Sequence, residues 1–237
     1  MPLPPSPRSI TLRGLLTALV SGLFHLIRRM GVVYAIGWAT ALGLLALFAD
    51  LAEDVLEGEF TQLNERILTR LHAHASPTLD WLALSLSALG GITGTALVGG
   101  AAILLLALFK RTIDAATLTI VLAGGSVLTV VLKQIFRQPR PALFESLAPE
   151  TSFSFPSGHS LMAVCLYGCL SLLLFLTKPR TTWPLALALL VFPLGIMWSR
   201  LYLGVHWFTD VVAGGLVACV WLTVCMMLRR AAIRRQR

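Results

Sequence analysis

Apolar and polar positions fall into long blocks along this chain, and uncharged runs of about 18 residues or more mark membrane-spanning helices. The first clear run covers 31–48. Over 51–76, Glu53, Asp54, Glu57, Glu59 and Glu65 interleave with Leu51, Val55, Phe60, Leu63, Ile67 and Leu71 at nearly helical spacing. That pattern predicts an amphipathic helix lying along the membrane surface. The apolar stretch 79–89, between Pro77 and Gly90-Gly91, is too short to span and reads as a half-helix dipping from the surface. Further spans are expected at 92–109, 115–136, 156–176, 183–198 and 206–228, with Pro193 a kink absorbed by neighbouring helices.

The expected fold is all-α: a polytopic membrane protein with six transmembrane helices forming a core bundle over residues 31–230. Within it, 51–91 is an external amphipathic segment. Residues 1–30 read as a proline-rich tail and a cytoplasmic interfacial helix at 10–27, interrupted by Arg13 and closed by Arg28 and Arg29. A signal peptide is disfavoured, because no small-residue cleavage site follows and a span begins at once. Residues 231–237 form a basic tail.

Composition agrees: 57% of the 237 residues are hydrophobic and 13% charged. A net charge of +8 would suggest nucleic acid in a soluble protein. Here it follows from topology, and no nucleic-acid partner is expected. Arg8, Arg13, Arg28, Arg29, Lys110, Arg111, Lys178, Arg180 and the five arginines from Arg229 onward lie in the proposed inner segments. They are thirteen of the nineteen basic residues, with Asp114 the only inner acid. An excess of inner cations places both termini in the cytoplasm. Cys165, Cys169, Cys219 and Cys225 sit inside apolar runs and read as small buried residues. His72 and His74 read as a solvated pair, His25 as a bystander, and Trp207 and Tyr202 as interfacial aromatics.

Three stretches carry chemistry, and all fall at span ends of the same polarity. The first has Lys133 followed, after six residues, by Arg140-Pro141. The second is Pro156-Ser157-Gly158-His159. The third is Ser199-Arg200, then His206, then Asp210. Ionisable groups at the membrane edge are costly to keep without a use. Lys133, Arg140 and Arg200 offer three cations to an oxyanion, and arginine's fork pairs with phosphate bidentately. Pro156 suits the first helical position, so Ser157, Gly158 and His159 would present N–H groups at a helix start. If the last run is helical from its beginning, His206 and Asp210 are i,i+4 neighbours on one face. Two histidines divide into one nucleophile and one proton donor, and Asp210 favours His206 as the nucleophile. Arg137 is as well placed for a headgroup as for catalysis.

These three motifs, intact and in order, resemble the type 2 phosphatidic acid phosphatase superfamily over roughly residues 78–230. The resemblance implies that His206 attacks phosphorus to form a phosphohistidine and that Asp210 orients it. His159 then protonates the leaving oxygen, and Lys133, Arg140, Ser157, Gly158 and Arg200 bind the phosphoryl oxygens. It implies no cofactor, and no metal is called for where fixed cations do the electrostatic work. The expected activity is hydrolysis of a lipid phosphate or diphosphate at the outer, periplasmic face of a bacterial inner membrane. An isoprenoid diphosphate such as undecaprenyl diphosphate stands slightly ahead of phosphatidylglycerol phosphate and phosphatidic acid. The alternatives are a lipid phosphotransferase or lipid A phosphatase using the same site and, from another class, an anion or lipid transporter. The absence of a visible repeat weighs against the transporter.

Overall fold

The computed structural model describes residues 20–22, 31–176 and 180–236. All but three residues of the interfacial helix expected at 10–27 lie outside that set, as does Lys178. The chain divides into two compact units, 1–39 and 40–237, and the second contains every candidate site residue.

Among the described residues, all regular structure is helical. The helices are α1 (Val32–Glu57), α2 (Thr61–His72), α3 (Pro77–Gly90), α4 (Ile92–Leu108), α5 (Thr112–Phe136), α6 (Gly158–Phe175), α7 (Trp183–Tyr202) and α8 (Phe208–Arg235). Five are long and apolar enough to cross a membrane, or six spans result if α3 and α4, bent by 55° at their junction, count as one.

Helix α6 is the central element. Leu161, Ala163, Cys165, Leu166 and Cys169 are fully buried on it, among α5, α7 and α8. Apolar side chains turned outward on the surrounding helices, such as Leu104, Val127 and Leu194, suit contact with lipid. Where lipid is as apolar as leucine, helix association depends on close packing, and small residues permit it. Gly124 on α5 leaves room for the ring of Trp221 on α8, whose Nε1 donates to the Val121 carbonyl at 3.0 Å. Gly214 on α8 abuts the Ser157 carbonyl at the head of α6. At the opposite end of the bundle, Asp114 accepts from Arg111 Nε and Arg229 Nε, each at 2.6 Å.

Several boundaries differ from the sequence reading. The segment 51–76 is not one surface helix. Its first acids, Glu53, Asp54 and Glu57, are the last turns of α1, which ends at Gly58 with φ +80°. Only α2 is separate, and Asn64 and Leu68 on it are buried. The stretch 79–89 forms α3, entered through a Ser76 cap and Pro77 at the first turn. Helix α7 runs on to Tyr202, so Ser199 and Arg200 lie in its final turn. Tyr202 is buried rather than interfacial, and its hydroxyl donates to Asp80 Oδ1 at 2.6 Å. Pro156 precedes α6 instead of opening it, because the Ser157 side chain supplies the N-cap. Helix α8 starts at Phe208, so His206 stands outside it, and the arginines 229–235 extend it.

Candidate active site

The ends of α5, α6, α7 and α8 meet the loop 137–157, and their chemistry is built around one imidazole. His206 is fully buried in the turn between α7 and α8. Asp210, at the third position of α8, reaches back over the helix start. Its Oδ2 accepts from the Trp207 N–H at 2.8 Å and lies 3.2 Å from His206 Nδ1. A carboxylate at this position satisfies an otherwise orphaned N–H and complements the positive end of the helix dipole. One side chain thus caps α8 and holds the histidine. The i,i+4 pairing is met, but across the helix start and not along one face.

With Nδ1 turned to Asp210, the other nitrogen of His206 faces the opposite way, and Arg140 Nη1 lies 3.2 Å from Nε2. Burial, followed by the charges of Arg140, Arg200 and Lys133, holds the imidazole well below its ordinary pKa. Neutral His206, protonated at Nδ1, therefore turns an Nε2 lone pair toward Arg140.

Arg140 is fixed from several sides. Its Nε donates to the Ser152 carbonyl at 2.6 Å, and its Nη1 donates to the Val205 carbonyl at 2.6 Å. Lys133, nearly buried at the end of α5, donates to Ser152 Oγ at 2.9 Å and to the Phe153 carbonyl at 2.6 Å. Arg200 is 1% exposed; it donates through Nη1 to Ser87 Oγ and through Nη2 to Glu150 Oε1. Among the described residues its Nε is buried with no partner, as is Asp210 Oδ1. An unsatisfied buried guanidinium N–H is costly and calls for an acceptor such as a phosphoryl oxygen.

The helix start at 157–159 is used differently from expectation. The Ser157 N–H donates to the Asp210 carbonyl at 2.9 Å, and its hydroxyl accepts from the Ser160 hydroxyl at 3.0 Å. Gly158 does permit a close approach, but to α5: a Cβ there would lie 2.8 Å from Thr129 Cγ2. His159 is placed facing the cations, with Nδ1 3.6 Å from Glu150 Oε1. All eight residues singled out from the sequence converge on this one place.

Glu150 and Ser154 had no part in the motifs, yet both are central. Glu150 joins Arg140, at 2.6 Å, to Arg200, with His159 alongside. Burial pushes its carboxyl upward, but Arg200 and Arg140 outweigh that and hold it below the usual carboxylate range. Ser154, fully buried, donates to Asp210 Oδ2 and lies 3.3 Å from His206 Nδ1. The available signal was weak: one acid ten residues after Arg140, and serines alternating with aromatics ahead of Pro156. Trp207 is tied in as well, through Nε1 to the Pro139 carbonyl at 3.1 Å.

A family model described as the PAP2 superfamily matches residues 114–234. Phosphatidylglycerophosphatase B of Bacillus subtilis is 37% identical over 111 residues, covering 45% of this chain and 53% of that protein. Undecaprenyl-diphosphatase of Sulfolobus acidocaldarius is 38% identical over 125 residues, covering 50% and 57% respectively. The chain spans about half the length of these curated relatives. Among solved structures, a transmembrane PAP2 type phosphatidylglycerolphosphate phosphatase from Bacillus subtilis superimposes with TM-score 0.71 at 24% identity, over 81% of this chain and 96% of that one. Aquifex aeolicus LpxE superimposes with TM-score 0.58 at 27% identity, over 69% and 94%.

Proposed function

The chain belongs to the PAP2 superfamily, and from that premise we propose that it is an integral membrane phosphatase acting on a lipid phosphate or diphosphate. The observation that carries this reading is the two-sided hold on His206. Its Nδ1 is 3.2 Å from Asp210, and its Nε2 is 3.2 Å from a guanidinium that belongs to an oxyanion clamp.

In the proposed reaction Arg140, Arg200 and Lys133 take the phosphoryl oxygens, assisted by N–H groups at the head of α6. His206 Nε2 attacks phosphorus, and the bond from phosphorus to the lipid oxygen breaks. His159 gives its proton to that oxygen, while Asp210 supports the positive charge that forms on His206. In the second step His159 takes a proton from water, the water oxygen attacks the phosphohistidine, and inorganic phosphate leaves with His206 restored. Fixed cations at the developing charge supply the main electrostatic stabilisation, and His159 acts as general acid and then base.

A lipid chain is supported by a groove of about 450 Å³ at the same end of the bundle, lined by Phe48, Ala52, Leu56 and Phe136 together with Glu53 and Glu57. The Phe136 ring lies 4.8 Å from that of Phe155, directly ahead of Pro156-Ser157. The relatives named phosphatidylglycerophosphatase and undecaprenyl-diphosphatase support testing both substrate types. Undecaprenyl diphosphate comes first, then phosphatidylglycerol phosphate, phosphatidic acid and a lipid A phosphate. The distribution of cations supports a site on the outer face, which in a bacterial inner membrane is the periplasmic one.

The test is phosphate release from that panel by purified protein in detergent, wild type beside His206→Ala. Loss of release in the variant is expected. Equal release by both proteins, or none from any lipid, would sink the proposal. Transfer of labelled phosphate to a second lipid in place of water would make the protein a phosphotransferase.

A further inference from the structure

None of the three motifs draws a residue from α3 or α4, yet the junction of these helices packs against two of the groups assigned chemistry above. Ser87, one turn before the break, is buried, and its Oγ accepts from Arg200 Nη1. The Ser87 carbonyl accepts the Gly91 N–H at 3.0 Å. The next carbonyl but one, that of Leu89, accepts the hydroxyl of Tyr167 on α6 at 3.2 Å. This last turn of α3 is therefore tied to α7 and α6 at once.

Gly90 and Gly91 form the surface on which His159 rests. A Cβ on Gly91 would lie 3.3 Å from His159 Nε2, and one on Gly90 would lie 3.6 Å from His159 Cδ2 and strike Ile196. The opposite edge of the ring faces Glu150, with Nδ1 at 3.6 Å. Backbone conformation does not explain a glycine at 91: its φ of −73° and ψ of 174° are open to any residue. The space taken by His159 does explain it. A side chain here would press on the Nε2 edge and push the imidazole toward Glu150.

We propose that Ser87 and Gly91 are positioning residues for phosphoryl transfer, Ser87 setting the guanidinium of Arg200 and Gly91 providing the floor that fixes His159. This rests on the phosphatase reading. On that reading the two act on different quantities. Ser87 governs a contact made by the phosphoryl group in ground and transition states alike, so its loss appears in KM. Gly91 governs the alignment of His159, and up to departure of the leaving group, the part of the reaction that kcat/KM reports, that alignment matters only for a leaving group that needs the proton.

The full chain in detergent is assayed with dodecyl phosphate, whose alkoxide must be protonated, and with p-nitrophenyl phosphate, whose phenolate departs without a proton. Gly91→Ala is expected to lower kcat/KM on dodecyl phosphate about tenfold and to leave kcat/KM on p-nitrophenyl phosphate within about twofold. Ser87→Ala is expected to raise KM about fivefold on both substrates and to add nothing in an Arg200→Lys background. Gly100→Ala, on α4 where a Cβ meets nothing within 4 Å, is expected to behave as wild type. Equal losses of kcat/KM on both substrates from Gly91→Ala, or unchanged kinetics, would overturn the assignment to His159. Should Gly91→Ala fail to fold, the decision falls to Ser87, where additivity with Arg200→Lys would overturn the proposal. A wild type inactive on both substrates and on the lipid panel above would remove the phosphatase reading itself, and this proposal with it.

Discussion

Glu150 Oε2 accepts a hydrogen bond from Arg140 Nη2 at 2.6 Å, and the other oxygen of the same carboxylate is taken by Arg200. An anion from the chain itself thus spans two arms of the proposed oxyanion clamp, beside His159. Two consequences follow from that one contact. An incoming phosphoryl group competes with Glu150 for the arginines. Once His159 is protonated, the carboxylate stabilises it.

Glu150→Gln separates these effects. Removing the negative charge is expected to tighten inhibition by inorganic phosphate several-fold, since a like charge beside the bound anion is gone. The same change is expected to lower kcat about tenfold, because His159 loses its charged partner. Phosphate inhibition constants and kcat measured on one preparation check both. If neither moves, Glu150 has no part in the site.

Asp210→Asn tests the two duties of a single carboxylate. The amide can still accept from the Trp207 N–H, so α8 keeps most of its cap, and a loss near 1 kcal/mol in stability is expected. It cannot support charge on His206 and favours the wrong tautomer, so kcat is expected to fall roughly a thousandfold. Thermal unfolding in detergent beside kinetics distinguishes the two. A fall in activity no larger than the loss of folded protein would contradict the orienting role.

These residues also show what the sequence discloses and why. Lys133, Arg140, His159, Arg200, His206 and Asp210 could be found because they are charged or titratable at the ends of apolar runs, where such groups are conspicuous. Glu150 could not. It sits in an irregular loop with no periodicity, and its meaning depends on Arg200, fifty residues away, folding back beside it. Ser87 was hidden in the same way, as an ordinary helical serine until Arg200 reached it from α7. The span starts were legible to within a few residues, but α1 and α8 run well past their expected ends, and the acids 53–57 misled. Charges ending a transmembrane helix and charges along a surface helix share one pattern, and only the positive φ at Gly58 divides them.

The depressed pKa of His206 fixes the sign of a pH effect. A protonated Nε2 has no lone pair, so activity falls as pH drops through the pKa of the folded protein. Burial and then Arg140 lower that pKa, so the acidic limb of kcat/KM is expected well below pH 6.5. In Arg140→Gln one of the lowering charges is gone, and the limb is expected to move upward, toward 6.5, whatever happens to the absolute rate. A full pH profile of both proteins checks this. An acidic limb that stays in place, or moves down, would contradict neutral His206 as the nucleophile.

Asp114 provides a contrast at the far end of the bundle. It is held by Arg111 and Arg229 at 2.6 Å each, with its side chain 10% exposed. Asp114→Ala leaves two partly buried guanidinium groups without their anion, at a cost of about 3 kcal/mol. Unfolding in detergent should shift accordingly, while kcat per folded molecule stays unchanged, since no catalytic group contacts this cluster. A proportionate loss of kcat would mean that the two ends are coupled.

Sidedness can be read directly, because the native thiols give little background: Cys165, Cys169 and Cys225 are buried, and Cys219 is only partly exposed. Glu145 lies exposed in the loop that carries Glu150 and Ser154, and Gln236 lies exposed beyond the end of α8. On the proposed topology, an impermeant maleimide added to intact cells should modify Glu145→Cys and spare Gln236→Cys. Permeabilised cells should show both. The distinction matters chemically as well as topologically. A phosphoryl site on the outer leaflet can meet only lipids that have crossed or been built there, and it releases phosphate away from the cytoplasm. The reverse labelling pattern would put the clamp on the inner face and the arginines of the α8 terminus on the outer one, against the excess of inner cations taken to orient the chain.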